Sequence, residues 1–230
     1  MKFKMCTPVS GTTIEEFLVN LDKTQKVSDL IELRTDSIRA LSMDHIRTIR
    51  EATSKEAIFT CRSKDEGGLF SDPEAERVRI LQRGIGLFEY VDIELSTVQK
   101  HDFSCDDGTK IIISYHNFVE TPSYWDMQKI LFEINKYKPD IIKIATMIHE
   151  EFEVNKLYRL LTNKPHSEER IVIGMGEKGR MTRIIGPLLG SYLTFASTEW
   201  CESAPGQIEL SEMKKILETF HVTRSANHDI

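Results

Sequence analysis

No stretch of the 230 residues approaches the ~20 consecutive apolar side chains that a helix needs to cross a bilayer, so no membrane span is expected. The N-terminal Met-Lys-Phe-Lys-Met has no apolar run of the signal-peptide kind either. Basic residues are in deficit. With 30 Lys and Arg against 36 Asp and Glu, the net charge of −6 argues against nucleic acid as a partner. Cysteines are few and scattered. Cys6, Cys61, Cys105 and Cys201 show neither CxxC nor zinc-ligand spacing, which removes a disulfide framework and a zinc site from consideration. Phosphate-cradling motifs are missing too: no GxGxxG follows the first strand pattern, and GxxxxGK[ST] is absent. These absences leave a soluble, reduced, cytoplasmic protein as the expectation.

What is there is an alternation of short β-type runs with helical patterns. Strands are expected at 2–9, 30–36, 57–62, 90–95, 110–116, 140–147, 170–176 and 191–197. Helices are expected at 12–25, 43–54, 73–86, 122–137, 149–163, 178–186 and 207–219. Thr12 with Glu15 reads as a capping box, and Asp72-Pro73 and Thr121-Pro122 place a cap before a proline at the first helical position. Eight such strands form either an eight-stranded (β/α)8 TIM barrel or a doubly wound open sheet. The polar residues decide between them. Strand 2 puts Glu32, Arg34 and Asp36 on one face and Ile31 and Leu33 on the other, and strand 4 alternates Asp92 and Glu94 in the same way. A sheet covered by helices on both faces would strand those charges in apolar layers. A barrel points one face inward and can hold a polar site at its mouth, so the barrel is expected. Between strands 4 and 5, residues 96–108 have weak helical periodicity, predicting a short or missing helix. Residues 1–220 are expected to form one barrel domain and 221–230 a polar tail.

Lys143 is the most conspicuous residue in the expected interior. It lies within Asp140-Ile-Ile-Lys-Ile-Ala-Thr-Met147, where a charged amine is costly unless it is paired, solvated at a cleft or shifted towards its neutral form. A neutral amine attacks ketones and aldehydes to form Schiff bases. Ile111-Ile-Ile-Ser-Tyr-His116 ends a neighbouring strand with a candidate acid/base. The loop Arg62-Ser-Lys-Asp-Glu66-Gly-Gly can bring a carboxylate to His116, where it would orient the ring and raise its proton affinity. Plainer readings exist: Glu32 with Arg34, or Arg62 with Glu66, would serve as ion pairs bracing the barrel. Arg183, in or near the helix after strand 7, suits an anionic group, and Ser203-Ala-Pro-Gly-Gln207 reads as a turn or a closing lid.

The chain resembles the type I 3-dehydroquinate dehydratases, the Schiff-base-forming class. The resemblance rests on strings in matching order: Glu32-Leu-Arg34-Thr-Asp36, Arg62-Ser-Lys-Asp-Glu66-Gly-Gly, Asp92-Ile-Glu94, Ser114-Tyr-His116-Asn-Phe118, Ile142-Lys143-Ile-Ala, Met175-Gly, Arg183, Thr194-Phe195 and Ser203-Ala-Pro-Gly-Gln-Ile208. Asn117 stands where the family usually has Asp. The resemblance implies Lys143 as the Schiff-base lysine, His116 as the proton-transfer residue and Glu66 as its partner. It implies Glu32, Arg34 and Arg62 on the substrate's hydroxyls and neighbouring groups, and Arg183 on its carboxylate. Ser203 and Gln207 would close over the ring, between apolar walls at Met175 and Phe195. It further implies 3-dehydroquinate as the small-molecule substrate, no metal or cofactor, and a homodimer. The alternatives are a class I aldolase-like Schiff-base barrel and a non-catalytic barrel that binds a partner. The sequence assigns no function to Trp200.

Overall fold

A computed structural model describes residues 4–103 and 108–225. Its strands and helices alternate in chain order. The sequence runs β1 (Met5–Val9), α1 (Ile14–Gln25), β2 (Leu30–Arg34), α2 (Met43–Ala52), β3 (Glu56–Thr60), α3 (Glu74–Gly84), β4 (Tyr90–Glu94), α4 (Leu95–Val98) and β5 (Lys110–Asn117). It continues with α5 (Tyr124–Asn135), β6 (Ile141–Met147), α6 (Val154–Thr162), β7 (Arg170–Met175), α7 (Thr182–Leu188), β8 (Thr194–Ser197), β9 (Ile208–Glu209) and α8 (Leu210–Ser225). The strands are parallel in the order β7-β6-β5-β4-β3-β2-β1-β8-β9. This is the expected barrel with one addition, the two-residue β9 beside β8. The ladder does not run between β7 and β8; Tyr192 N–H donates to the Arg170 carbonyl at 2.7 Å across that seam.

The period-2 pattern sorts side chains into two layers. Ile31, Leu33, Phe59, Val91, Ile93, Ile113 and Ile144 pack outward against Phe17, Leu21, Ile46, Ile49, Leu81 and Leu157 of the helices. Cys6, Leu30, Ile58, Tyr90, Ile112 and Ile171 point inward and fill the N-terminal half of the barrel. Each fully buried Leu or Ile contributes about 1.5–3 kcal/mol of transfer free energy, so this floor is held chiefly by apolar burial. The polar inward residues lie above it, towards the C-terminal ends of the strands. A third cluster, Ala196, Ile208, Leu210, Met213 and Leu217, docks α8.

Several local expectations shift. Helix α1 is capped by Thr13, whose hydroxyl accepts from Glu16 N–H at 3.3 Å, one residue later than the Thr12–Glu15 box. Pro73 is the cap position itself and makes no side-chain cap bond. Ser123, not Thr121, caps α5, because the Thr121 hydroxyl is spent on the Met147 carbonyl at 2.6 Å. The short helix between strands 4 and 5 is the four-residue α4, and Cys105 lies outside the described residues. Helix α8 continues to Ser225, past the expected start of the tail, and 226–230 lie outside the described residues. Among the described residues no helix is long and apolar enough to cross a membrane.

Candidate active site

Above the apolar floor the inward positions of β2, β4, β5 and β6, with Arg62 just past β3, carry Glu32, Arg62, Asp92, Ser114 and Lys143, all buried. Lys143 Nζ is 2.8 Å from Asp92 Oδ2, 3.5 Å from Glu32 Oε1 and 4.7 Å from the Phe195 ring centroid. Arg62 Nη2 reaches the same Asp92 oxygen at 2.8 Å, and its Nη1 donates to Ser114 Oγ at 2.8 Å. Ser114 Oγ in turn donates to Asp92 Oδ1 at 2.6 Å. Glu94 continues the network outward: it lies 3.3 Å from Arg62 Nη1 and 2.6 Å from Arg77 Nη1 of α3. Burial alone would push the Asp92 carboxyl up, but the facing Arg62 and Lys143 charges hold it far below the usual carboxylate range. Buried ion pairs contribute little to stability, since desolvation consumes most of their attraction. Such a concentration of them at a barrel mouth is more informative about chemistry.

At the rim, the loop after β3 folds over the end of β5. Glu66 Oε2 accepts from His116 N–H at 3.0 Å and lies 2.9 Å from His116 Nδ1. Gly67 makes this approach feasible: its φ is +80°, and a Cβ there would sit 2.3 Å from the Phe118 ring. Burial pushes the Glu66 carboxyl up to about 7, with Arg62 opposing and Glu94 adding to the rise. Burial also depresses the His116 imidazole well below its ordinary value, and the charges of Arg62 and Lys143 depress it further. The expectation that a carboxylate would raise the proton affinity of His116 is therefore corrected: desolvation and the two cations outweigh it. His116 rests as the neutral ring, the form that accepts a proton.

Arg183, the second residue of α7, is fully buried, and among the described residues no carboxylate lies within ion-pair distance of it. Its Nε donates to the Gly206 carbonyl at 3.1 Å and its Nη2 to the Pro205 carbonyl at 3.4 Å. Burial brings the guanidinium down to about 10, with only Glu202 opposing. A buried cation without a counter-charge is an anion receptor. The 203–207 loop is closed on itself, with Gln207 Oε1 accepting from Ser203 N–H at 2.9 Å and its Nε2 donating to Ser203 Oγ at 3.2 Å.

All the residues expected at the site line one cavity: Glu32, Arg34, Arg62, Glu66, His116, Lys143, Met175, Arg183, Phe195, Ser203 and Gln207. The structural ion pairs considered from sequence do not form as such. Arg34 forks onto Asp36 through two 2.9 Å bonds instead of Glu32, and Arg62 pairs with Asp92 and Glu94 instead of Glu66. Asp92 and Ser114, given no role at the sequence level, are the main partners of Lys143 and Arg62. The signal was present in the alternation of β4, which turns Asp92 inward at the level of Lys143. Trp200 also gains an account: its Nε1 donates to Thr24 Oγ1 at 3.0 Å, pinning the segment after β8 to α1.

A sequence model of the family described as Type I 3-dehydroquinase matches residues 5–224. A 3-dehydroquinate dehydratase of Coxiella burnetii is 40% identical over 220 residues, covering 95% of this chain and 94% of the relative. The crystal structure of the 3-dehydroquinate dehydratase from Geobacillus kaustophilus superposes with a TM-score of 0.84 at 26% identity, covering 96% of this chain and 92% of that one. The corresponding structure from Aquifex aeolicus gives 0.80 at 31% identity, covering 95% and 99%.

Proposed function

The chain belongs to the type I 3-dehydroquinase family, and from that membership we propose that Lys143 is the imine-forming nucleophile of a 3-dehydroquinate dehydratase with His116 as its proton-transfer residue. The reaction removes water from a β-hydroxy ketone, converting 3-dehydroquinate to 3-dehydroshikimate in the shikimate pathway. One observation carries the reading of the site. Lys143 and the unpaired guanidinium of Arg183 line the same cavity, as required for a substrate with both a ketone and a carboxylate. The amine attacks the ketone, and loss of water from the carbinolamine leaves an iminium. That cation acidifies the neighbouring C–H, because the electrons left behind are delocalised as an enamine. His116, neutral and held at Nδ1 by Glu66, takes the proton through its free nitrogen. The β-hydroxyl then leaves as water, protonated by the same ring, and hydrolysis of the imine frees Lys143.

Arg183 holds the carboxylate, and Ser203 and Gln207 close over it. Glu32, Arg34 and Arg62 face the ring's hydroxyls, with Met175 and Phe195 as its apolar walls. We also propose a cytoplasmic homodimer. The three described cysteines, all free and buried, are compatible with a reducing compartment. The test of the chemistry is direct. Turnover of 3-dehydroquinate, followed by the ultraviolet absorbance of the conjugated product, is expected to vanish in Lys143→Ala. Borohydride with substrate is expected to fix the ligand's mass on Lys143. An active enzyme whose Lys143 stays unlabelled would refute the mechanism.

A further inference from the structure

We propose that Asp92 is a catalytic residue of this reaction, the counter-ion of the iminium formed on Lys143, with Ser114 and Arg62 holding its carboxylate in place. The inference rests on Lys143 being the imine-forming residue. Condensation of an ammonium with a ketone, R–NH3⁺ + O=C, gives R–NH⁺=C plus water. The positive charge therefore stays on the nitrogen while two of its three protons leave with the carbonyl oxygen. One N–H remains, lying in the plane of the new double bond, and it can serve a single strong acceptor. Asp92 Oδ2 is 2.8 Å from that nitrogen, whereas Glu32 Oε1 is 3.5 Å away and is already engaged by the Thr60 hydroxyl at 3.1 Å. A buried cation without a partner would be destabilised heavily. Here the partner is in position before the substrate arrives, so imine formation buries no new charge.

The sharing of Asp92 matters as much as its proximity. When His116 removes the adjacent proton, the iminium becomes a neutral enamine and its charge disappears. A carboxylate paired to Lys143 alone would then be orphaned and would resist the step. Asp92 keeps the Arg62 guanidinium at 2.8 Å and the Ser114 hydroxyl at 2.6 Å, so it stays compensated through the discharge. The carboxylate thus favours the iminium without trapping it there. Burial opposes its ionisation, but the facing cations keep it anionic throughout the neutral range. The other ionisable groups around the nitrogen include Cys6 from β1, Glu32 and Arg34 from β2, Arg62 and Glu66 after β3, Glu94 from β4, His116 from β5 and Arg183 from α7.

The test combines steady-state kinetics with borohydride trapping of 3-dehydroquinate over a pH series. In the wild type, an adduct on Lys143 establishes the imine itself; its absence refutes the Lys143 reading and the proposal with it, whereas an adduct that Asp92→Asn leaves unaffected refutes the role of Asp92 alone. In Asp92→Asn the adduct is expected to form at low pH and to fade about one pH unit or more below the wild-type profile. There kcat is expected to fall about 10²-fold or more, the scale of losing a preorganised charge partner, with KM changing little. Glu32→Gln, by contrast, is expected to raise KM and leave the trapping profile in place. An Asp92→Asn enzyme with wild-type kcat and trapping profile, even if thermally weakened, would overturn the proposal. So would a shift of the profile by Glu32→Gln alone. If Asp92→Asn does not fold, Ser114→Ala carries the test, because it keeps the carboxylate but loosens it. A loss of about tenfold in kcat is expected, the size of one hydrogen bond, and an unchanged kcat would equally overturn the proposal.

Discussion

Glu66 and His116 meet through two hydrogen bonds, and the position of the proton in the one at Nδ1 determines which ring nitrogen is free. With Glu66 ionised, Nδ1–H donates to Oε2 and the other nitrogen offers its lone pair to the substrate. With Glu66 protonated, the carboxyl donates to Nδ1 and the proton of the neutral ring moves to the side that should act as base. Because burial pushes Glu66 up to about 7, kcat/KM is expected to rise with pH through about that value. Glu66→Gln should remove this limb and lower kcat/KM about 10²-fold, as a pH–rate profile would read. A profile unchanged by the substitution would contradict the assignment. The stability consequence has the opposite sign. The folded value of about 7 lies above the ordinary 4.5, so the fold favours the protonated form. That contribution is complete below about 4.5 and is lost as pH climbs through 7, so Glu66 relaxes the fold in the range where it activates His116.

The lid and its seat belong to the scale of elements. Gly176, just beyond β7, donates its N–H to the Pro205 carbonyl at 3.1 Å, and Gly206 comes so close that a Cβ would sit 2.3 Å from the Gly176 carbonyl oxygen. The φ of Gly206 is +76°, where a side chain is strained in any case. The same residue's carbonyl accepts from Arg183 Nε, so one glycine positions both the lid and the carboxylate receptor. Gly206→Ala is therefore expected to raise KM about tenfold and to lower the melting temperature by a few degrees as the loop shifts off the Gly176 carbonyl; an unaltered KM would detach the lid from binding. The glycine was visible in the sequence only as a turn residue. The strands themselves were legible, because period-2 alternation with Val and Ile is a local property. Caps were misplaced by a residue or two where neighbouring hydroxyls compete, as at Thr12 and Thr13 or Thr121 and Ser123. Asp92 was legible as inward-facing, but its meeting with Lys143 depends on the barrel's closure. Arg77 gave still less signal: a helical arginine reads as solvated until α3 packs it against Glu94.

At the scale of the whole molecule, every residue assigned to the cavity comes from one barrel. Assembly should thus be separable from chemistry. The surface carrying α5 and α6 is the place to expect a second copy. Trp125 and Phe132, seven residues apart and so on one helical face, are 73% and 65% exposed. Val119 and Phe152 on the preceding loops are 77% and 67% exposed, and His149 Nε2 ties those loops together at 2.6 Å from the Val119 carbonyl. Arg159 of α6 stacks on Tyr124 of α5 at 4.0 Å, which holds the two helices as one surface. Aromatic residues dominate the buried centres of interfaces, and a single copy leaves these in water. Sedimentation is expected to give twice the 26.5 kDa chain mass. Phe132→Glu with Trp125→Glu should shift the protein to one chain mass, because like charges would be buried on both sides of a symmetric contact. Activity per chain should survive the shift within about twofold, being independent of the second copy. A wild-type monomer would remove the dimer, whereas a dissociated and inactive double variant would show that the neighbouring chain supports the site after all.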